Sequence, residues 1–347
     1  MLQPDLAAFL EMVAAGQGRP MHASTPAQAR ADYEAATPML DAPGSRQVET
    51  RLLEIARRDG GRLAMRLYLP LGAAKQAPGM PGGSAASPAP VGSGGPASTA
   101  PARSGALPLL LFFHGGGYCI GGLESHDSLC RDLAVLTPCA VLAVDYRLAP
   151  EHRFPAAVED AWDAYRWALD NAGALGCDAS RVAVCGDSAG ATLATGLAIA
   201  SRDAGLPRPA VQVLLYPCAS ADGNFESRRR YATGYLLEAE TLRWMYRHYL
   251  GETGDPRDWR FAPLECADLA RVSPAHIVLA ECDMLTDEGL AYAERLRAAG
   301  VRAECVVYPG MVHDFARLGN IVPEAMQVRR DVAARLAAAF AAAAPAP

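Results

Sequence analysis

The 347-residue sequence has no apolar run of the ~18–20 residues needed to span a bilayer. It has no surplus of positive charge: 32 Lys and Arg stand against 38 Asp and Glu, for a formal net charge of −6. That balance argues against nucleic acid or an anionic membrane as partner, since both favour a basic face. Paired cysteine spacings are missing too. Nine scattered cysteines, an odd number, make neither a disulfide framework nor a zinc site. They read as reduced core thiols of a cytoplasmic protein. Met1–Pro20 lacks a basic start and carries Asp5 and Glu11, so it does not read as a signal peptide.

What is present is a large apolar fraction, 51%, enough for a sizeable core. From Leu109 onward, short apolar runs such as Leu109–Phe113, Ala140–Val144 and Arg181–Cys185 alternate with helical patterns. This is the signature of an α/β chain, a parallel sheet covered on both faces. A hairpin around Asp59-Gly60-Gly61 precedes it. Residues 72–107, almost entirely Gly, Ala, Pro and Ser, have nothing to bury and read as a flexible insertion in a hairpin turn. Residues 218–265 interrupt the alternation after a strand's C-terminal end, where such folds place ligands. Their aromatic-rich run ending at Leu250 reads as a helical cap. Thr25-Pro26 reads as an N-cap and first helical position, and the helices of residues 1–45 could pack beside that cap.

Gly186-Asp187-Ser188-Ala189-Gly190 stands where a strand ends and a helix begins. A serine between two glycines there is a nucleophile elbow, with the hydroxyl raised above the sheet. An acyl-transfer serine needs donors aimed at a developing oxyanion. Ala189 N–H is one. His114-Gly115-Gly116-Gly117, after an earlier strand, supplies the others, assigned here to Gly115 and Gly116. His114 reads as a loop-holding residue. The serine also needs a base and the base a carboxylate. His313 follows one late apolar strand and Asp283 the strand before it. The order Ser188, Asp283, His313 fits a hydrolase triad. Asp145 and Arg147 are expected to form a structural ion pair.

The segments HGGGYCIGGLESHDSLCRDLA, VDYRLAPEHRFPAAVED, GDSAG and ECDMLTDEG…YPGMVHDF resemble the bacterial hormone-sensitive-lipase-like family (family IV) of α/β-hydrolase carboxylesterases, in its GDSAG branch. The resemblance implies an eight-stranded, mostly parallel sheet, with a catalytic domain over 46–217 and 266–347 and a cap from 1–45 and 218–265. It implies hydrolysis of short- to medium-chain acyl esters with no cofactor and no metal. The expected partner is a small-molecule ester, and homodimers through a sheet edge occur in such a family. Tyr118, Asp187, Tyr216, Tyr235, Leu236 and Leu237 are the candidate substrate-binding residues. Asp314 stands where the family most often has glycine; a carboxylate facing the ring would raise the His313 pKa. Two rivals remain: a metabolite-specific deacetylase or amidase with the same triad, and a small-ligand receptor, which could dispense with the base.

Overall fold

The computed structural model describes residues 1–16, 18–74, 105–221 and 223–343. The centre of the sheet is built from the apolar runs. β3 (Leu107–Phe113), β4 (Ala140–Asp145), β5 (Cys177–Asp187), β6 (Gln212–Leu215) and β7 (Ala275–Ala280) are buried along nearly their whole apolar length. Strands covered on both faces need no polar side. β1 (Val48–Ala56) alternates half-buried and exposed positions along most of its length, as an edge strand does, and pairs antiparallel with β2 (Arg62–Pro70). β8 (Ala303–Tyr308) is the other edge. The order is β1-β2-β4-β3-β5-β6-β7-β8, parallel from β4 to β8.

That order corrects one expectation. β2 pairs antiparallel with β4, so β4 lies between β2 and β3. The glycine- and proline-rich stretch therefore joins strands that are not neighbours and is no hairpin turn. From 75 to 104 it lies outside the described residues, and Leu107 already belongs to β3.

The helices follow in chain order: α1 (Pro4–Ala15), α2 (Pro26–Leu40), α3 (Leu71–Ala74), α4 (Asp127–Leu136), α5 (Ala156–Asn171), α6 (Ala189–Asp203), α7 (Glu226–Arg230), α8 (Ala239–Leu250), α9 (Thr286–Ala298) and α10 (Glu324–Ala343). Thr25 caps α2 by accepting from Gln28 N–H at 3.2 Å, and Pro26 takes the first position, where its missing N–H costs nothing. Of the aromatic-rich cap run, only α7 and α8 are helical. Gly234 and Leu236 between them have φ of +82° and +69°, which no right-handed helix accommodates. Arg147 does not pair with Asp145. Asp160 on α5 takes it, accepting from its backbone N–H at 2.8 Å and its guanidinium at 2.9 Å. All nine cysteines are free thiols, eight of them buried. Among the described residues no helix is long and apolar enough to cross a membrane.

The end of α2 is held to the C-terminal helix by charge. Arg329 of α10, 2% exposed, donates to Asp41 at the end of α2 (2.6 Å) and to Asp132 of α4 (2.8 Å). Breaking a buried pair from one side strands the other charge, at about 3–5 kcal/mol. Arg329→Met strands two carboxylates, so urea denaturation should show a loss of at least about 3 kcal/mol. A loss under about 1 kcal/mol, the scale of a surface pair, would contradict the role given to this contact.

Candidate active site

β5 ends at Asp187 and α6 begins at Ala189, leaving Ser188 alone in the turn with φ +52° and ψ −120°. The turn closes because both flanking residues are glycine. A Cβ on Gly186 would fall on the Gly190 carbonyl, and one on Gly190 would fall on the Phe113 carbonyl of β3. Ser188 N–H donates to Leu215 O of β6 at 2.8 Å, so the strained residue is anchored from the next strand.

The loops after β7 and β8 bring the other two groups. His313 Nε2 lies 2.9 Å from Ser188 Oγ, and its Nδ1 lies 2.7 Å from Asp283 Oδ2. The second Asp283 oxygen accepts from Leu285 N–H at 3.0 Å, which fixes the carboxylate. All three side chains are buried. Burial alone would push the His313 pKa down. The Asp283 carboxylate and its hydrogen bond, then the charges of Asp314 and Asp187, outweigh burial and hold it above the ordinary histidine value. Asp314 acts only through its charge: its carboxylate is hydrogen-bonded to Arg317 (2.8 Å) and Tyr33 (3.3 Å), not to the imidazole.

The glycine loop corrects the sequence assignment. Gly115 N–H donates to Asp187 Oδ1 at 2.9 Å and is therefore spent. Gly116 and Gly117 come next, at φ +110° and +56°. Among the described residues no protein acceptor takes the N–H of Gly116, Gly117 or Ala189. The first N–H groups of a helix have no partner within it, so Ala189 of α6 is a ready donor. These three are the available set. The sequence shows the third glycine, but which N–H groups stay unbonded depends on Asp187.

Asp187, a candidate substrate contact from the sequence, is engaged within the protein. It is 1% exposed, and besides Gly115 it meets His126 Nε2 at 3.2 Å. It braces the loop from behind. His114, also buried, bonds the Gly115 carbonyl at 2.7 Å and stacks on Tyr146 at 4.2 Å. Burial lowers its pKa to about 3, so it stays neutral. Tyr118 is wholly buried, stacked 3.8 Å from Tyr249. Tyr216 is buried too and packs its ring 4.8 Å from that of His313, supporting the imidazole. Tyr235, Leu236 and Leu237 are half-buried in the loop between α7 and α8.

One neighbour of the serine had no sequence signal. Cys218, just past β6, places its Sγ 3.9 Å from Ser188 Oγ. Burial pushes its thiol up to about 12, so it stays protonated. Behind it, Glu288 of α9 pairs with Arg228 of α7 at 2.6 Å and accepts from Ala219 N–H at 2.9 Å. Burial raises the Glu288 pKa to about 7 against the pull of Arg228.

A family model described as the alpha/beta hydrolase fold matches residues 110–317, the span that carries the glycine loop, the elbow and His313. The chain belongs to the hormone-sensitive-lipase-like family of α/β hydrolases. It is a carboxylic ester hydrolase. An ethyl acetate hydrolase of Pseudomonas putida is 42% identical over 331 residues, 93% of this chain and 95% of that one. The carboxylesterase NlhH of Mycobacterium tuberculosis is 40% identical over 64% of this chain and 70% of its own. Among solved structures, the ester hydrolase EH1AB1 from the metagenome of Lake Arreo superposes with a TM-score of 0.87 at 34% identity, covering 98% of this chain and 100% of that one.

An imidazole that must be neutral to take a proton loses activity as pH falls through its pKa. The raised pKa of His313 therefore puts the acidic limb of kcat/KM, which reports the free enzyme, above about 6.5. A pH–rate profile measures this, and a limb at or below that value would contradict the electrostatic account.

Proposed function

We propose that the chain is a serine carboxylesterase that cleaves short- to medium-chain acyl esters through an acyl-enzyme on Ser188. The observation that carries this reading is His313, bonded to Ser188 on one nitrogen and to Asp283 on the other. His313 takes the hydroxyl proton as Ser188 Oγ attacks the ester carbonyl. Asp283 holds the tautomer and stabilises the imidazolium. Gly116, Gly117 and Ala189 N–H groups receive the oxyanion of the tetrahedral intermediate. His313 then protonates the departing alcohol. In the second half it activates water, which releases the acid and restores the serine.

The named activity of the Pseudomonas putida relative, ethyl acetate hydrolysis, supports a small acyl group. Nine free thiols support a reducing, cytoplasmic location. The β8 edge, with Val306 40% and Val307 37% exposed, supports a homodimer built by edge pairing, since an apolar edge strand otherwise invites association.

The test is initial rates on p-nitrophenyl esters of increasing acyl length, wild type beside Ser188→Ala. Wild type should favour acetyl to butyryl esters and fall off for long chains, and the variant should lose at least about 10⁴-fold in kcat. Activity confined to amides or to one acetylated metabolite would move the reading to a deacetylase or amidase. No turnover on any ester would overturn it.

A further inference from the structure

Arg317 is only 1% exposed, although a buried cation is costly unless every donor is used. Its donors go to three separate parts of the chain. Nη1 donates to Asp314 Oδ2 at 2.8 Å, beside the base. Nε donates to the Ser125 carbonyl at 3.0 Å. On α2, Nη2 donates to Thr37 Oγ1 at 3.1 Å and Nη1 to the Tyr33 hydroxyl, while the guanidinium lies 4.6 Å over the Tyr33 ring.

The chain of contacts continues past Ser125. Its hydroxyl meets His126 Nδ1 at 2.9 Å, and His126 Nε2 meets Asp187, which holds Gly115 N–H. One buried polar network thus joins an N-terminal helix to the base loop and to the oxyanion loop. None of its members is Ser188, Asp283 or His313, so nothing in the mechanism above requires it.

Resting on the serine-esterase reading, we infer that Arg317 is a positioning residue: seated by Tyr33 and Thr37 of α2, it holds the His313 loop and the oxyanion loop in register. The docking of α2 is then a condition of turnover. Arg317 has a second effect. The groups facing His313 are Asp283, Ser188 and the Tyr216 ring in contact, with Asp314 and Asp187 acting by charge. Arg317 partly cancels Asp314, the charge nearest the base in sequence.

Three variants of the full chain, assayed on p-nitrophenyl acetate, test this. Tyr33→Phe with Thr37→Val keeps the packing, the ring under the guanidinium included, and removes the α2 hydrogen bonds to Arg317 and to Asp314. Arg317→Met removes the cation. Asp314→Asn keeps a residue that tolerates the left-handed backbone at φ +67°. The α2 pair should lower kcat about tenfold or more while KM changes less than about threefold, the pattern of a misplaced catalytic group. The acidic limb should move up in Arg317→Met and down in Asp314→Asn. If Arg317→Met does not fold, the other two variants carry the test. An active wild type with an α2 pair of unaltered kcat overturns the inference. So does a kcat loss with no movement of the acidic limb in the charge variants, which would mark general loosening. A wild type that hydrolyses no ester sinks the esterase reading first and this inference with it.

Discussion

Ser188 holds a backbone conformation, φ +52°, that costs a non-glycine residue of order 1–3 kcal/mol, and the rest of the site is arranged around keeping it there. The strain persists because the surroundings over-determine it. β3 and β6 flank β5 in register, the Phe113 carbonyl of β3 lies where a side chain at 190 would go, and Leu215 of β6 accepts from the serine's own N–H. A flatter turn would aim Oγ along the sheet. The tight one lifts it off the sheet toward His313, and it starts α6 in the next residue, so that a free helix N–H stands beside the nucleophile.

The elbow also turns Asp187 inward, and this fixes the glycine loop after β3. A carboxylate inside the protein must be hydrogen-bonded. Asp187 achieves this by taking Gly115 N–H and meeting His126. The strand-end carboxylate thus uses up the N–H of one glycine and leaves those of the next two without a protein acceptor among the described residues. Ser188 and the carboxylate that ties down the glycine loop are adjacent residues of one turn. His313 comes from a loop far away in the chain, and beside that loop α2 reaches in with Tyr33 and Thr37 on Arg317.

Much of this was legible in the sequence because the constraint is local. A serine between two glycines at a strand–helix junction is a steric statement within five residues, and strand ends followed by Asp283 and His313 repeat the same grammar. The unreadable parts depend on contacts between distant segments. Which glycine N–H groups stay unbonded is decided by Asp187, 72 residues from Gly115. Arg317 meets Tyr33 and Thr37 across more than 280 positions in sequence for one and 280 for the other. The neighbour of β2 could not be read either, since an apolar strand carries no mark of its partner: β4, not the next strand in sequence, took that place. Cys218 carried no motif at all; only folding puts its sulfur beside Ser188.

The most direct check on the central claim is labelling with a p-nitrophenyl organophosphate, followed by mass spectrometry of the digested protein. The account predicts one adduct per chain, on the peptide bearing Ser188, with p-nitrophenol released in equal amount and esterase activity lost in step. An adduct on another residue, or full inactivation with Ser188 unmodified, would contradict it.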